Sequence, residues 1–123
     1  MSKISKFEDL IAWQKARVLT RQVYAVTRTL PFAKDYGLSN QIQRASASIM
    51  ANIAEGFERN RMKEFHQFLS VSKSSCAEVR SHLYVAYDAG YISEPHFEEL
   101  QSLASEVGRI IGGLRREVEK EIS

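Results

Sequence analysis

The chain has 123 residues, of which 44% are hydrophobic and 26% charged, with a formal net charge of +2. That length fits one domain able to bury a core without staples, and the composition is that of a globular protein rather than a disordered or collagenous one. A single cysteine, Cys76, allows no intrachain disulfide, and the N-terminal Met-Ser-Lys-Ile-Ser-Lys has no apolar run for a signal peptide. No window approaches the roughly eighteen apolar residues of a membrane span, so the expected location is the cytoplasm, with no membrane partner. The small net charge conceals an asymmetry: residues 1–80 hold 13 Lys/Arg against 7 Asp/Glu, and residues 81–123 hold 4 against 8. Such a split fits a solvated surface, a basic binding face, or complementary faces of neighbouring subunits.

Ser5-Lys-Phe-Glu8 has the form of a capping box and predicts a first helix from about residue 6 to 29, ended by Leu30-Pro31. Ala12, Ala16, Leu19, Val23, Val26 and Leu30 alternate steps of four and three, the seam of a bundle core. Gln14, Arg17, Arg21, Tyr24 and Arg28 fall on the opposite face, and no acidic residue occurs between Leu10 and Lys34. The solvent face of this helix is therefore basic, with one tyrosine among the arginines.

Ser39 is the expected N-cap of a second helix that Gly56 closes. Ten uncharged residues separate Arg44 from Glu55, and Leu38, Ile42, Ala45, Ile49 and Ile53 form its apolar face. The far side carries Ala47, Ala51 and Ala54 instead of Lys and Glu, which implies close packing there too. Gln41, Arg44, Ser48, Asn52 and Glu55 make a polar seam beside the apolar one, with Arg44–Ser48 and Asn52–Glu55 near enough to bond within one face. This seam reads as a register-fixing network or a subunit contact, or as a ligand or RNA site.

Asn60 is the expected cap of a third helix, 61–89, whose seam is Phe65, Leu69, Ser72, Cys76, Val79, Leu83 and Ala86, running until Gly90. Ser93 caps a fourth, 94–120, with Pro95 in its first turn and Phe97, Leu100, Ala104, Val107, Ile111, Leu114 and Val118 facing inward. Gly112-Gly113 weakens that helix by about 1 kcal/mol per glycine, a cost that close approach by another helix would explain. Four seams with short connections predict an all-α, antiparallel up-down-up-down four-helix bundle.

Catalytic chemistry finds little support. His66, His82 and His96 lack i, i+4 spacing, and no His/Cys/Asp/Glu set has metal-ligand spacing. Cys76 lies on a core seam, and no glycine-rich phosphate loop follows a strand. The expectation is a protein with no enzymatic activity, metal or cofactor. Arg17, Arg21, Tyr24 and Arg28 read either as a solvated face or as a surface that pairs with phosphates and stacks on bases.

Gln41-Ile-Gln-Arg-Ala45, Ser48-Ile49, Asn52-Ile-Ala-Glu-Gly56 and Arg59 resemble the signature of four-helix-bundle proteins encoded in intervening sequences of bacterial 23S rRNA genes. The flanks Phe7-Glu-Asp-Leu10, Trp13-Gln-Lys-Ala16, Tyr36-Gly-Leu38 and Lys63-Glu-Phe65 agree, so the resemblance spans roughly residues 7 to 118. That family is similar to the accessory variability proteins of diversity-generating retroelements. The resemblance implies a ring-shaped homopentamer and an association with ribosomal RNA intervening sequences or with a retroelement reverse transcriptase. It also groups Arg59 with the polar seam.

Overall fold

The structure is a computed structural model that describes residues 4–122. Among them lie four α-helices, α1 (Ile11–Thr27), α2 (Tyr36–Glu58), α3 (Met62–Asp88) and α4 (Glu94–Ile122), with short 3₁₀ turns at Phe7–Asp9 and Phe32–Lys34 and no strand. None is long and apolar enough to cross a membrane.

The expected seams are the core. Ala12, Ala16, Leu19, Val23 and Val26 of α1 meet Ile42, Ala45, Ile49 and Ile53 of α2, with the α3 seam and the α4 seam closing the other sides. Leu114 is only half-buried against this core. Leu30 departs from its seam and is 68% exposed. The helix has already ended at Thr27, and Phe32, stacked on Tyr91 at 5.1 Å, fills the interior in its place.

Polar side chains set the register between neighbouring helices. Gln43 donates to Thr27 Oγ1 at 2.8 Å between α2 and α1, while Ser72 donates to the Ile49 carbonyl at 2.7 Å between α3 and α2. Cys76 donates to the Ala104 carbonyl at 3.0 Å, and His66 meets Glu119 at 2.7 Å, between α3 and α4. Residue numbers that rise along α3, from His66 to Cys76, pair with numbers that fall along α4, from Glu119 to Ala104.

Helix ends differ from expectation in four places. The Ser5–Glu8 box does not cap a helix: Lys6 makes no side-chain cap, and the extended Leu10 separates the first 3₁₀ turn from α1. That break buries Leu10 and sets Phe7 edge-on against Trp13 at 5.2 Å. Asp35, not Ser39, caps α2 by accepting from the Leu38 N–H at 3.1 Å, and Ser39 lies buried one turn inside the helix. Gly56 does not end α2, which continues to Glu58. Its missing side chain instead lets α3 approach, since a Cβ there would stand 2.6 Å from Phe68 Cβ. Asn60 does not cap α3. It takes φ 59°, a left-handed conformation that asparagine tolerates at a helix end, and Arg61 precedes α3. Ser93 does cap α4, accepting from the His96 N–H at 3.3 Å.

Candidate nucleic-acid interface

The basic face of α1 forms because its core seam lies on one side, which turns residues 17, 21, 24 and 28 outward. Arg17, Arg21 and Arg28 are exposed and Tyr24 is half-buried. Arg17 lies over the Trp13 ring and Arg28 over the Tyr24 ring, each 5.8 Å from the centroid. These contacts place a cation against a ring at each end of the stripe, while the arginine side chains stay exposed to solvent. Among the described residues, none of the three arginines is within ion-pair distance of a carboxylate. Trp13 is the member that the stripe reading left out. Its place four residues before Arg17 was the signal for it.

On the flank of α1, Lys15 reaches Glu106 of α4 at 3.7 Å. Glu98, Glu99 and Glu106 line a shallow groove of about 580 Å³ with Val18 and Gln22, so α4 turns an acidic edge toward α1. The basic face and this acidic edge are adjacent but separate.

The polar seam of α2 is divided by the structure. Ser48 and Ser75 share a hydrogen bond of 3.0 Å, and Asn52 donates to the Ser48 hydroxyl at 2.9 Å and to its carbonyl at 2.8 Å. The bonds thus run from Ser75 through Ser48 to Asn52 and not through Arg44 or Glu55. Arg59 lies over Phe68 at 5.3 Å and 3.7 Å from Glu64, so it fastens the α2–α3 turn. Gln41, Arg44 and Glu55 face outward, and beside them Ala51 is exposed while Ala47 and Ala54 are half-covered. The single chain therefore leaves open the side that its small residues predict to be packed.

The groups able to do chemistry are dispersed. Among the described residues, no three His, Cys, Asp or Glu are arranged to hold a metal ion. Burial pushes the Cys76 thiol above its ordinary pKa, with Lys73 and Arg80 pulling weakly the other way. His66 holds Glu119 below the usual carboxylate range, and His82 contacts Glu78 at 3.2 Å one turn away.

A solved structure from Bacteroides thetaiotaomicron VPI-5482, described as a protein with unknown function from the S23 ribosomal protein family, superposes with a TM-score of 0.79. At 20% identity it covers 86% of this chain and 96% of its own, which establishes a common fold. No curated protein matches the sequence. A match to the 23S rRNA-intervening sequence protein family extends over residues 8–113, nearly the whole bundle and most of its helical signature. The chain belongs to the 23S rRNA-intervening sequence protein family.

Proposed function

We propose that this protein is a non-catalytic, self-associating accessory protein that binds RNA or DNA through the basic face of α1. One observation carries the reading: Arg17, Arg21 and Arg28 stand exposed on one face, two of them laid over aromatic rings, with no carboxylate among the described residues at ion-pair distance. Exposed guanidiniums can present paired donors to phosphates, and Tyr24 adds a ring for a base. The family's tie to ribosomal RNA genes supports RNA as the polyanion. The opposed numbering between α3 and α4 supports an antiparallel up-down-up-down bundle, and the exposed Ala51 with the half-covered Ala47 and Ala54 supports self-association. A ring of five, associated with ribosomal RNA intervening sequences or with a reverse transcriptase, follows from the resemblance alone, and a cytoplasmic location from the sequence's lack of a long apolar run.

The test is a titration of structured RNA and of duplex DNA with wild type and with the Arg17→Gln, Arg21→Gln, Arg28→Gln variant, after the variant's helicity and assembly size are matched to wild type. Near about 100 mM salt, the variant is expected to bind at least roughly tenfold more weakly. Equal binding by both proteins would remove the site from α1. Absence of binding by wild type would favour the second reading, a protein–protein scaffold. The Lys15–Glu106 contact favours that reading, since it sets one α1 cation, outside the arginine stripe, against the acidic edge of α4.

A further inference from the structure

A second concentration of positive charge lies away from α1, along the groove between α3 and α4. Lys73 and Arg80 of α3 and Arg109 of α4 rim an opening of about 260 Å³. Its floor is Ala77, Ala104, Ser105 and Gly108, with Cys76 beneath. One turn further along, Arg116 joins the rim: its Nη1 and the Lys73 Nζ both come within 4 Å of the point where a Cβ on Gly112 would stand, at 3.7 and 3.8 Å. Two cations thus converge over the same bare stretch of backbone. Among the described residues, Lys73, Arg80, Arg109 and Arg116 form no ion pair. Arg80 is instead held in place by Gln101, which accepts from its Nε at 3.3 Å and donates to its carbonyl at 2.8 Å. Glu119 feels Arg115 and Arg116 while engaged with His66.

The glycines along this stretch of α4 are not explained by packing within the chain. A Cβ on Gly108, Gly112 or Gly113 would meet its nearest neighbour at 3.6, 3.7 or 3.9 Å, ordinary contact that alanine would satisfy. Each nevertheless costs the α4 interior about 1 kcal/mol against alanine. Next to them, Arg115 donates to Ser70 at 3.3 Å while its buried Nε has no acceptor among the described residues.

From this convergence of cations, which form no ion pair among the described residues, over an open floor of small residues, we infer that the α3–α4 groove is a second contact surface for the sugar–phosphate backbone of a nucleic-acid strand. The form of the groove favours an extended polyanion over a single phosphate. Lys73 and Arg80 are seven residues apart, as are Arg109 and Arg116, so each pair spans about 10 Å of helix. No aromatic ring lines the opening, so the strand's phosphates enter it and its bases stay outside. This inference rests on the nucleic-acid reading above but uses none of the α1 residues.

The experiment measures affinity and salt dependence for a single-stranded RNA with four proteins. These are wild type; the groove variant Lys73→Gln, Arg109→Gln, Arg116→Gln; the α1 variant described above; and a control of equal charge loss elsewhere, Lys6→Gln, Lys34→Gln, Lys63→Gln. All are first matched for helicity and assembly size. The groove variant should lose about tenfold or more in affinity and lower the log–log salt slope by about 2, at roughly 0.7 per single-strand phosphate, and the control should lose less. Should the triple variant fail to fold, Arg109→Gln alone should lower the slope by about 0.7. Groove and control variants with the same affinity and slope would overturn the inference while leaving α1 binding intact. Loss in the groove variant with none in the α1 variant would uphold the groove and overturn the α1 site. Absence of RNA binding by wild type would overturn both.

Discussion

Gly56 and Phe68 are in contact where α2 crosses α3: a Cβ on the glycine would stand 2.6 Å from the phenylalanine Cβ, with Phe65 Cδ1 at 3.0 Å. No rotamer change relieves a clash with a Cβ, so Gly56→Ala must separate the helices. The expected destabilisation is about 1–3 kcal/mol, as for other overpacked cores. Gly113→Ala has room at 3.9 Å and should stabilise by up to about 1 kcal/mol. Denaturant melts of the two variants check both signs. Equal effects would contradict the distinction between a glycine used for packing and one that is not.

Asp35 joins two distant segments, accepting from the Leu38 N–H at 3.1 Å and from the Tyr91 hydroxyl at 2.8 Å. These bonds hold its carboxyl below the usual aspartate range, the Leu38 N–H contributing most. Its stabilising effect is therefore complete above the ordinary aspartate pKa of about 3.9 and is lost as pH falls through the lower folded-state value. Asp35→Asn should melt below wild type at neutral pH, and the gap should close under acid. Thermal melts across that range decide, and a gap independent of pH would contradict the assignment.

The Ser48–Ser75 bond links α2 to α3, and a double-mutant cycle with Ser48→Ala and Ser75→Ala should give a coupling of about 0.5–1.5 kcal/mol. Ser72→Ala removes the donor to the Ile49 carbonyl and should cost about 1 kcal/mol. Additivity in the cycle would mean that the bond does not hold in solution.

The core was readable in the sequence because heptad spacing is a local property. Ala16, Leu19, Val23, Ile42, Ile49, Leu69, Val79 and Ile111 all occupy their expected faces. Helix ends were less readable because caps compete. Asp35 and Ser39 both suit an N-cap, and the choice depends on Tyr91, which comes 56 residues after Asp35. Gly56 carries the same letter whether it ends a helix or admits a neighbour, and only the position of Phe68 tells the two apart. The α1 stripe was visible because it lies on one helix. The α3–α4 groove was not, since its cations come from two helices and converge only when those helices pack.

Self-association has a direct probe. Light scattering should give a multiple of the 14.0 kDa chain mass, five by resemblance, and Ala51→Glu should shift the species toward monomer without loss of helicity. Ala51 is exposed in the single chain, so unfolding by this change is not expected. A wild-type monomer at micromolar concentration would contradict the assembly.

Neutralisation of phosphates by the basic face of α1 is read from the salt dependence of binding to structured RNA. Log affinity should fall linearly with log salt by about 0.7 to 0.9 per contacted phosphate, and Arg17→Gln, Arg21→Gln, Arg28→Gln should reduce that slope by about 2 to 3. A slope that is the same in wild type and variant would contradict it.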